Sequence, residues 1–398
     1  MGVELRPLGV KCNIQCQYCY QNPQRDTNNI LHAYDLGKMK AAIEEEGRPF
    51  TLFGGEPLMV PINDLQALWS WGYERYGENS IQTNGTLINE DHIRMFREYR
   101  VHVGISIDGP GELNDVRWVG SLERTRAATA SAVAAIERLC REGSPPSIII
   151  TLHRCNATRE RLPVLQDWLL GLERLGITSV RLHMLEVDNA LVRQKYALSS
   201  EENLEAMLSF LRFERAKLST MRFDVFREMR SLLLGEDSTT TCVWNACDPY
   251  TTRAVRGIEG NGQSSNCGRT NKDGIDFVKS DREGFERYLA LYHTPQEFGG
   301  CKDCRYFLMC KGQCPGTSID GDWRNRSEHC GVWMGLFHHL EKELMREGLR
   351  PLSDRPERRE IEGVFVGQLK GGRNLTVAQC LEEFMNARQQ EGPSEAPA

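Results

Sequence analysis

Two rhythms of apolar and polar positions alternate over the first 190 residues. Short apolar runs at 3–8, 50–53, 80–83, 101–107, 147–152 and 179–185 predict strands. Between them, apolar residues spaced three and four apart at 34–46, 64–75, 90–99, 122–142 and 159–175 predict helices. In 122–142 the helical period is carried by Ala127, Ala128, Ala130, Val133, Ala134 and Ile136. Strand and helix in alternation imply βα units around a parallel sheet. Six units fit, so the expected class is α/β, with a partial (β/α)6 TIM-like barrel over 1–198. Such barrels gather their chemistry at the carboxyl ends of the strands. A helical bridging segment follows over 199–240, and then the periodicity fades. Residues 241–348 are rich in Gly and Cys, so something besides an apolar core must hold them, with one helix expected at 332–347. The remaining 349–398 reads as an extension with one helix, 376–390, capped by Thr376, and a disordered end from 391.

Composition narrows the function classes. The 398 residues suffice for two or three domains, and 40% hydrophobic with 26% charged residues excludes wholesale disorder. A net charge of −6 argues against non-specific nucleic-acid binding. No apolar run approaches the ~20 residues of a membrane helix, and the N-terminus shows no secretory pattern. The expected location is the cytoplasm, which makes the 14 cysteines anomalous, because disulfides do not persist there. Cys12, Cys16 and Cys19 cluster early; Cys242, Cys247, Cys267, Cys301, Cys304, Cys310, Cys314 and Cys330 crowd the second half. Cys140, Cys155 and Cys380 stand apart and read as small buried hydrophobes.

The first triad follows the first predicted strand. Three thiolates can hold three irons of a [4Fe–4S] cube and leave the fourth iron open to a chelating ligand. A closed zinc site with His32 as fourth ligand is the other reading. The spacing Cys-x3-Cys-x2-Cys, with Tyr18 before the last cysteine, closely resembles the radical S-adenosylmethionine (SAM) superfamily. That resemblance implies that the open iron chelates SAM. It also implies that one-electron reduction releases a 5′-deoxyadenosyl radical, which takes a hydrogen atom from substrate. Further stretches resemble the family's SAM contacts. Gly54-Gly55-Glu56-Pro57 is similar to its GGEP motif, and Ser106-Ile107-Asp108-Gly109-Pro110 to its S-x-D-G-P stretch. Thr83-Asn84-Gly85 is similar to its TNG; an ordinary Asn-Gly turn explains those residues equally well. His183, Glu186 and Asp188 sit near the sixth strand's end, where they either line a substrate cavity, handle protons or cap the barrel mouth.

The late cysteines, Cys301-x2-Cys304-x5-Cys310-x3-Cys314-x15-Cys330 with Cys242, Cys247 and Cys267 upstream, number enough thiols for two fully ligated cubes or two four-cysteine zinc sites. They closely resemble the SPASM domain of radical SAM peptide-modifying enzymes. Carried over by position, the resemblance assigns Cys242, Cys247, Cys267 and Cys314 to one auxiliary cluster and Cys301, Cys304, Cys310 and Cys330 to the other. It thus implies three [4Fe–4S] clusters plus SAM, and a flavodoxin or ferredoxin as electron donor. Two departures argue against the sulfatase-maturing subfamily: Gly268 follows Cys267 where those enzymes carry Asp, and Phe53 precedes the GGEP stretch where they carry Gln. Only eleven residues precede Cys12, fewer than the winged leader-binding domain of many peptide-maturing relatives, so leader recognition, if used, is expected from a separate leader-peptide recognition protein or from the SPASM surface and tail. The reading is a maturase of a ribosomally synthesised precursor peptide, by crosslinking, epimerisation or backbone excision. The alternatives are the same chemistry on a small molecule or a protein Ser or Cys, and a non-catalytic zinc-stabilised scaffold.

Overall fold

The computed structural model describes residues 3–26, 33–248, 256–270, 284–294 and 300–391. His32 and the tail beyond Glu391 lie outside the described residues. The chain divides into two compact units, Met1–Val225 with Val255–Lys279, and Phe226–Ala254 with Ser280–Ala398.

The first unit is built on β1 (Val3–Arg6), β2 (Gln15–Cys16), β3 (Phe50–Leu52), β4 (Asn79–Thr83), β5 (Val101–Ser106), β6 (Arg117–Trp118), β7 (Ser147–Leu152), β8 (Ser179–Met184), β9 (Arg222–Phe223), β10 (Arg256–Glu259) and β11 (Ser264–Ser265). Nine of these form one sheet in the order β11-β10-β1-β3-β4-β5-β7-β8-β9, and β2 pairs with β6 as a separate ribbon. All neighbours in the large sheet are parallel except β10 and β11. The six strands expected from the apolar runs are β1, β3, β4, β5, β7 and β8, adjacent and in chain order, as right-handed βα units require. Along β7, Ile148, Ile150 and Leu152 are fully buried, while Ile149 and Thr151 between them line a cavity. That is the two-residue period of a strand with different layers on its two faces.

Three strands of the large sheet escaped the sequence reading. β9 interrupts the segment expected to be helical, between helices Ser200–Lys217 and Asp224–Leu233. β10 and β11 come from the Gly- and Cys-rich stretch and extend the sheet beyond β1. Strands of two to four residues carry too little pattern to be read from sequence. Helix Leu122–Arg141 forms as expected, but its buried face is Thr125, Thr129, Ala132, Ala135, Ile136 and Leu139. Of the residues that carried the expected period, only Ile136 lies on that face. The two threonines go inward because their hydroxyls bond backbone carbonyls, Thr125 to Ser121 at 2.7 Å and Thr129 to Thr125 at 3.0 Å.

In the second unit, Trp244 packs edge-on against Trp333 and Phe337, and Tyr306 stacks on Phe337. Arg287 is fully buried. Its guanidinium donates to the carbonyls of Trp323 (2.6 Å), Asn325 (3.0 Å) and Gly312 (3.2 Å), stitching together a loop of low periodicity. The C-terminal region holds two helices, Arg358–Lys370 and Val377–Glu391, rather than the single one expected. Ile361, Phe365, Val366 and Leu369 supply the buried stripe of the first. Thr376 caps the second as expected: its Oγ1 accepts from Gln379 N at 3.1 Å, while Gln379 Oε1 accepts from Thr376 N at 2.9 Å. No helix among the described residues is long and apolar enough to cross a membrane.

Candidate active site

Beyond the carboxyl ends of β3, β4, β5, β7 and β8 lies a cavity of about 190 Å³ in the first unit. Cys12, Cys16 and Cys19 all line it. Their loop is held from two sides. On one, β2 pairs with β6, with Cys16 opposite Arg117, and Gln17 N donates to Val116 O at 2.8 Å. On the other, the two glycines after β3 let the chain run directly against residues 9–11. Gly55 N donates to Gly9 O and Glu56 N to Lys11 O, both at 2.9 Å. A Cβ on Gly55 would stand 2.1 Å from Lys11 O, and one on Gly54, whose φ is +119°, would stand 2.5 Å from Gly9 O. Only glycine allows that approach.

The structure brings some of the expected residues to the cavity and turns others away. Tyr18, Gly54, Gly55, Asn84, Ser106, His183 and Glu186 line it; Glu56, Pro57, Asp108 and Asp188 do not. Glu56 is 1% exposed and faces inward: its Oε1 accepts from Thr83 Oγ1 at 2.7 Å and Leu58 N at 3.0 Å, and its Oε2 from Asn84 N at 2.8 Å. It locks the end of β3 to the end of β4. Burial raises its carboxyl above the usual range, against the pull of those three donors. Asn84 in turn reaches the cysteine loop, its Nδ2 donating to Asn13 Oδ1 at 2.8 Å. Ser106 Oγ accepts from Gln82 Nε2 at 2.8 Å.

Asp108 is wholly buried behind the wall. Its carboxylate accepts from Tyr18 Oη (2.5 Å), Arg117 Nε and Nη2 (3.0 and 3.1 Å) and Thr151 N (3.0 Å), with His153 Nε2 at 3.4 Å. Burial would push this carboxyl up; the Arg117 guanidinium and the His153 contact more than offset it and hold it well below the usual carboxylate range. Burial pushes the Cys16 thiol up to about 12, against Arg117, so binding of a metal there must expel protons.

Among the side chains that line the same cavity as the cysteines is Arg269, which joins the two flanks of the sheet. It follows β11, yet its Nε pairs with Glu186 Oε1 at 2.8 Å and its Nη2 meets His183 Nδ1, at the far end of β8. A guanidinium only donates, so His183 Nδ1 accepts and the neutral ring carries its proton on Nε2. Burial first, then Arg269 and Arg181, hold the imidazole well below its ordinary value, hence neutral. Sequence reasoning missed Arg117, Arg269 and Gln82. Each is placed by pairing that is distant in sequence, and only the Cys267-Gly268 neighbourhood hinted at Arg269.

The donor set can be tested against the group the triad suggests. All three thiols are free of disulfides and share one cavity. Among the described residues, no three His, Cys, Asp or Glu side chains gather closely enough to hold a single metal ion. A zinc ion draws its thiolates to about 2.3 Å, whereas a four-iron cube takes each on a separate iron. The set therefore suits a cluster. In the second unit Cys301, Cys304, Cys310 and Cys330 likewise line one small cavity of about 20 Å³.

Residues 7–169 match the family model of the Radical SAM superfamily. A serine-type anaerobic sulfatase-maturating enzyme of Klebsiella aerogenes is 25% identical, covering 96% of this chain and 92% of its own length. The one from Bacteroides thetaiotaomicron is 36% identical over 128 residues, 28% of this chain and 30% of its own. Among solved structures, anSMEcpe with bound AdoMet and the Kp18Cys peptide superposes with a TM-score of 0.67 at 18% identity, covering 87% of this chain and 98% of that one. Streptococcus suis SuiB bound to precursor peptide SuiA gives a TM-score of 0.53 at 14% identity, covering 83% and 76%. Membership implies a [4Fe–4S] cluster and SAM. Residues 7–169 thus form a radical SAM domain, and over its length the chain is similar to sulfatase-maturating enzymes of the SPASM type.

Proposed function

We propose that this enzyme takes a hydrogen atom from a residue of a ribosomally synthesised precursor peptide. The observation that carries the reading is the cavity itself, lined together by three cysteine thiols and the Arg269–Glu186–His183 cluster. Family membership sets aside the non-catalytic zinc scaffold.

In this reading Cys12, Cys16 and Cys19 hold the catalytic cluster. When bound and reduced, cluster and SAM together supply a 5′-deoxyadenosyl radical. The chain's own residues position and shield. Gly54 and Gly55 keep the cysteine loop against β3, and Glu56 acts behind them as a tie between strands rather than as a contact. Ser106 offers a hydroxyl already oriented by Gln82. Asn84 commits its side chain to Asn13 and Thr86, which leaves it the role of bracing the loop. His183 presents a neutral ring with its proton on Nε2, suited to donate a hydrogen bond to substrate. Arg269 fixes that tautomer and orients the Glu186 carboxylate. Asp188, half-buried and outside the cavity lining, places its negative charge near Cys19.

In the SPASM half, Cys301, Cys304, Cys310 and Cys330 hold one auxiliary cluster, supported by their shared cavity. Cys242, Cys247, Cys267 and Cys314 are assigned to the other because the SPASM resemblance implies it. The electron comes from a flavodoxin or ferredoxin. A peptide substrate also fits what the solved neighbours bind, a Kp18Cys peptide in one case and SuiA in the other.

The second reading is oxidation of a protein Ser or Cys, favoured by similarity to sulfatase-maturating enzymes over 96% of the chain. Gly268 stands against it, because the sulfatase-maturing pattern carries an Asp at the position after Cys267. One experiment separates the two. The loaded enzyme is incubated with SAM, a low-potential reductant and either candidate precursor peptides encoded near its gene or a sulfatase-type Ser/Cys peptide. Mass spectrometry follows the peptides, and chromatography follows 5′-deoxyadenosine. A mass change in a precursor, matched by 5′-deoxyadenosine, is expected. Two-hydrogen loss from a serine peptide, or two-hydrogen loss with sulfur replaced by oxygen in a cysteine peptide, with every precursor untouched, overturns the reading.

A further inference from the structure

The ribbon of β2 and β6 has a consequence for the metal centre. Residues directly opposite on an antiparallel ladder project to the same face, with Cβ atoms about 5 Å apart. Cys16 and Arg117 are such a pair, and both line the cavity. The Arg117 side chain is 10% exposed and cannot swing away. Its fork grips Asp108 through two hydrogen bonds, and releasing it would remove the cation from a wholly buried carboxylate. The two charges are not equivalent as seen from the cysteines. The guanidinium forms part of the cavity wall, while the carboxylate lies behind it.

We propose that Arg117 is a fixed counter-charge for the reduced state of the cluster at Cys12, Cys16 and Cys19, and that Asp108 sets its strength by partial neutralisation. Reduction adds one electron from the low-potential donor protein and, at this step, makes or breaks no bond. Its free energy is therefore governed by the charges and hydrogen bonds around the thiolates. A unit charge about 10 Å away at an effective dielectric near 20 changes the equilibrium by roughly tenfold. Arg117 is thus a positioning and tuning residue, not a catalytic one. The proposal rests on the triad holding the cluster and does not depend on the substrate assigned above, so the test contains no peptide.

The full-length enzyme, loaded anaerobically, is titrated electrochemically and followed by electron paramagnetic resonance. Only the signal that SAM perturbs is read, which isolates the N-terminal cluster. Arg117→Gln should lower the midpoint, cutting the ratio of reduced to oxidised cluster about tenfold at the wild-type midpoint, or about 59 mV for one electron. Asp108→Asn should move it in the opposite direction, and Arg117→Lys should stay near wild type. Shifts of the same sign in the two neutralising variants, or no shift in either with iron content intact, overturn the proposal. Should a single variant fail to load iron, the double variant Asp108→Asn/Arg117→Gln removes both charges together. The guanidinium being nearer, its midpoint should fall below wild type, and an unchanged or raised midpoint overturns the idea.

Discussion

Replacing Gly55 by alanine is the sharpest structural test of how the cysteine loop is held. The new methyl would stand 2.1 Å from Lys11 O and 2.4 Å from Lys11 C, both backbone atoms that cannot rotate aside. An ordinary contact begins at 3.4 Å, so the two segments must part by about 1.3 Å. The hydrogen bonds from Gly55 N and Glu56 N, both 2.9 Å, would then stretch beyond bonding range. Their loss costs about 1 kcal/mol each, and the overpacking adds about 1–3 kcal/mol. The sum, about 3–5 kcal/mol, corresponds to a fall in melting temperature on the order of 10 °C. Because residues 9–11 lead straight into Cys12, iron content should drop as well. Anaerobic calorimetry and iron analysis of Gly55→Ala read both effects. Gly171→Ala serves as the control: its methyl would meet nothing within 4 Å inside a helix, so the change should be neutral or slightly stabilising. A Gly55→Ala protein with wild-type melting and full iron would refute the close-approach argument.

Two further outcomes are expected. Glu173 Oε1 accepts from the backbone N–H groups of Ser219, Thr220 and Met221 at 2.7–2.8 Å. Burial slightly opposes ionisation, but these donors hold the carboxyl below its usual range. A depressed carboxylate stabilises the fold above its unfolded value and loses that contribution as pH falls through the native one. Glu173→Gln should therefore cost about 1 kcal/mol near neutrality, discounted for solvent screening, and nothing in acid. Denaturant titrations at several pH values test this, and a pH-independent difference contradicts it. Cys330→Ala should remove about four irons per chain while leaving the SAM-perturbed resonance signal in place. Unchanged iron content would contradict the assignment of that cavity.

The parts of the site legible in the sequence are those whose chemistry is local. Cys12, Cys16 and Cys19 fall within eight residues, and their shared loop follows from the spacing. The glycines at 54 and 55 were legible as a close approach, though what they approach proved to be the cysteine loop's own backbone. Side-chain direction was not legible. Glu56 and Asp108 look like ligand contacts in a motif, yet both turn inward, because each meets three or more buried donors there. Arg117 and Arg269 were invisible for another reason. Each reaches the cavity through a pairing of two-residue strands or a contact across more than eighty positions, and neither leaves a periodic trace. The same holds for Arg287, which organises a loop through carbonyls rather than through any pattern of apolar residues.

The contact from Arg269 to Glu186 and His183 has a wider meaning for how the cavity is bounded. In a closed barrel the wall is a continuous backbone ladder, and opening it would mean unzipping strands. Here the circuit from β11 round to β8 is completed at the cavity by one side chain. Among the described residues that contact is made by polar side-chain groups and by no strand pairing, so the rim of the cavity and the ladder beneath it are held by different forces.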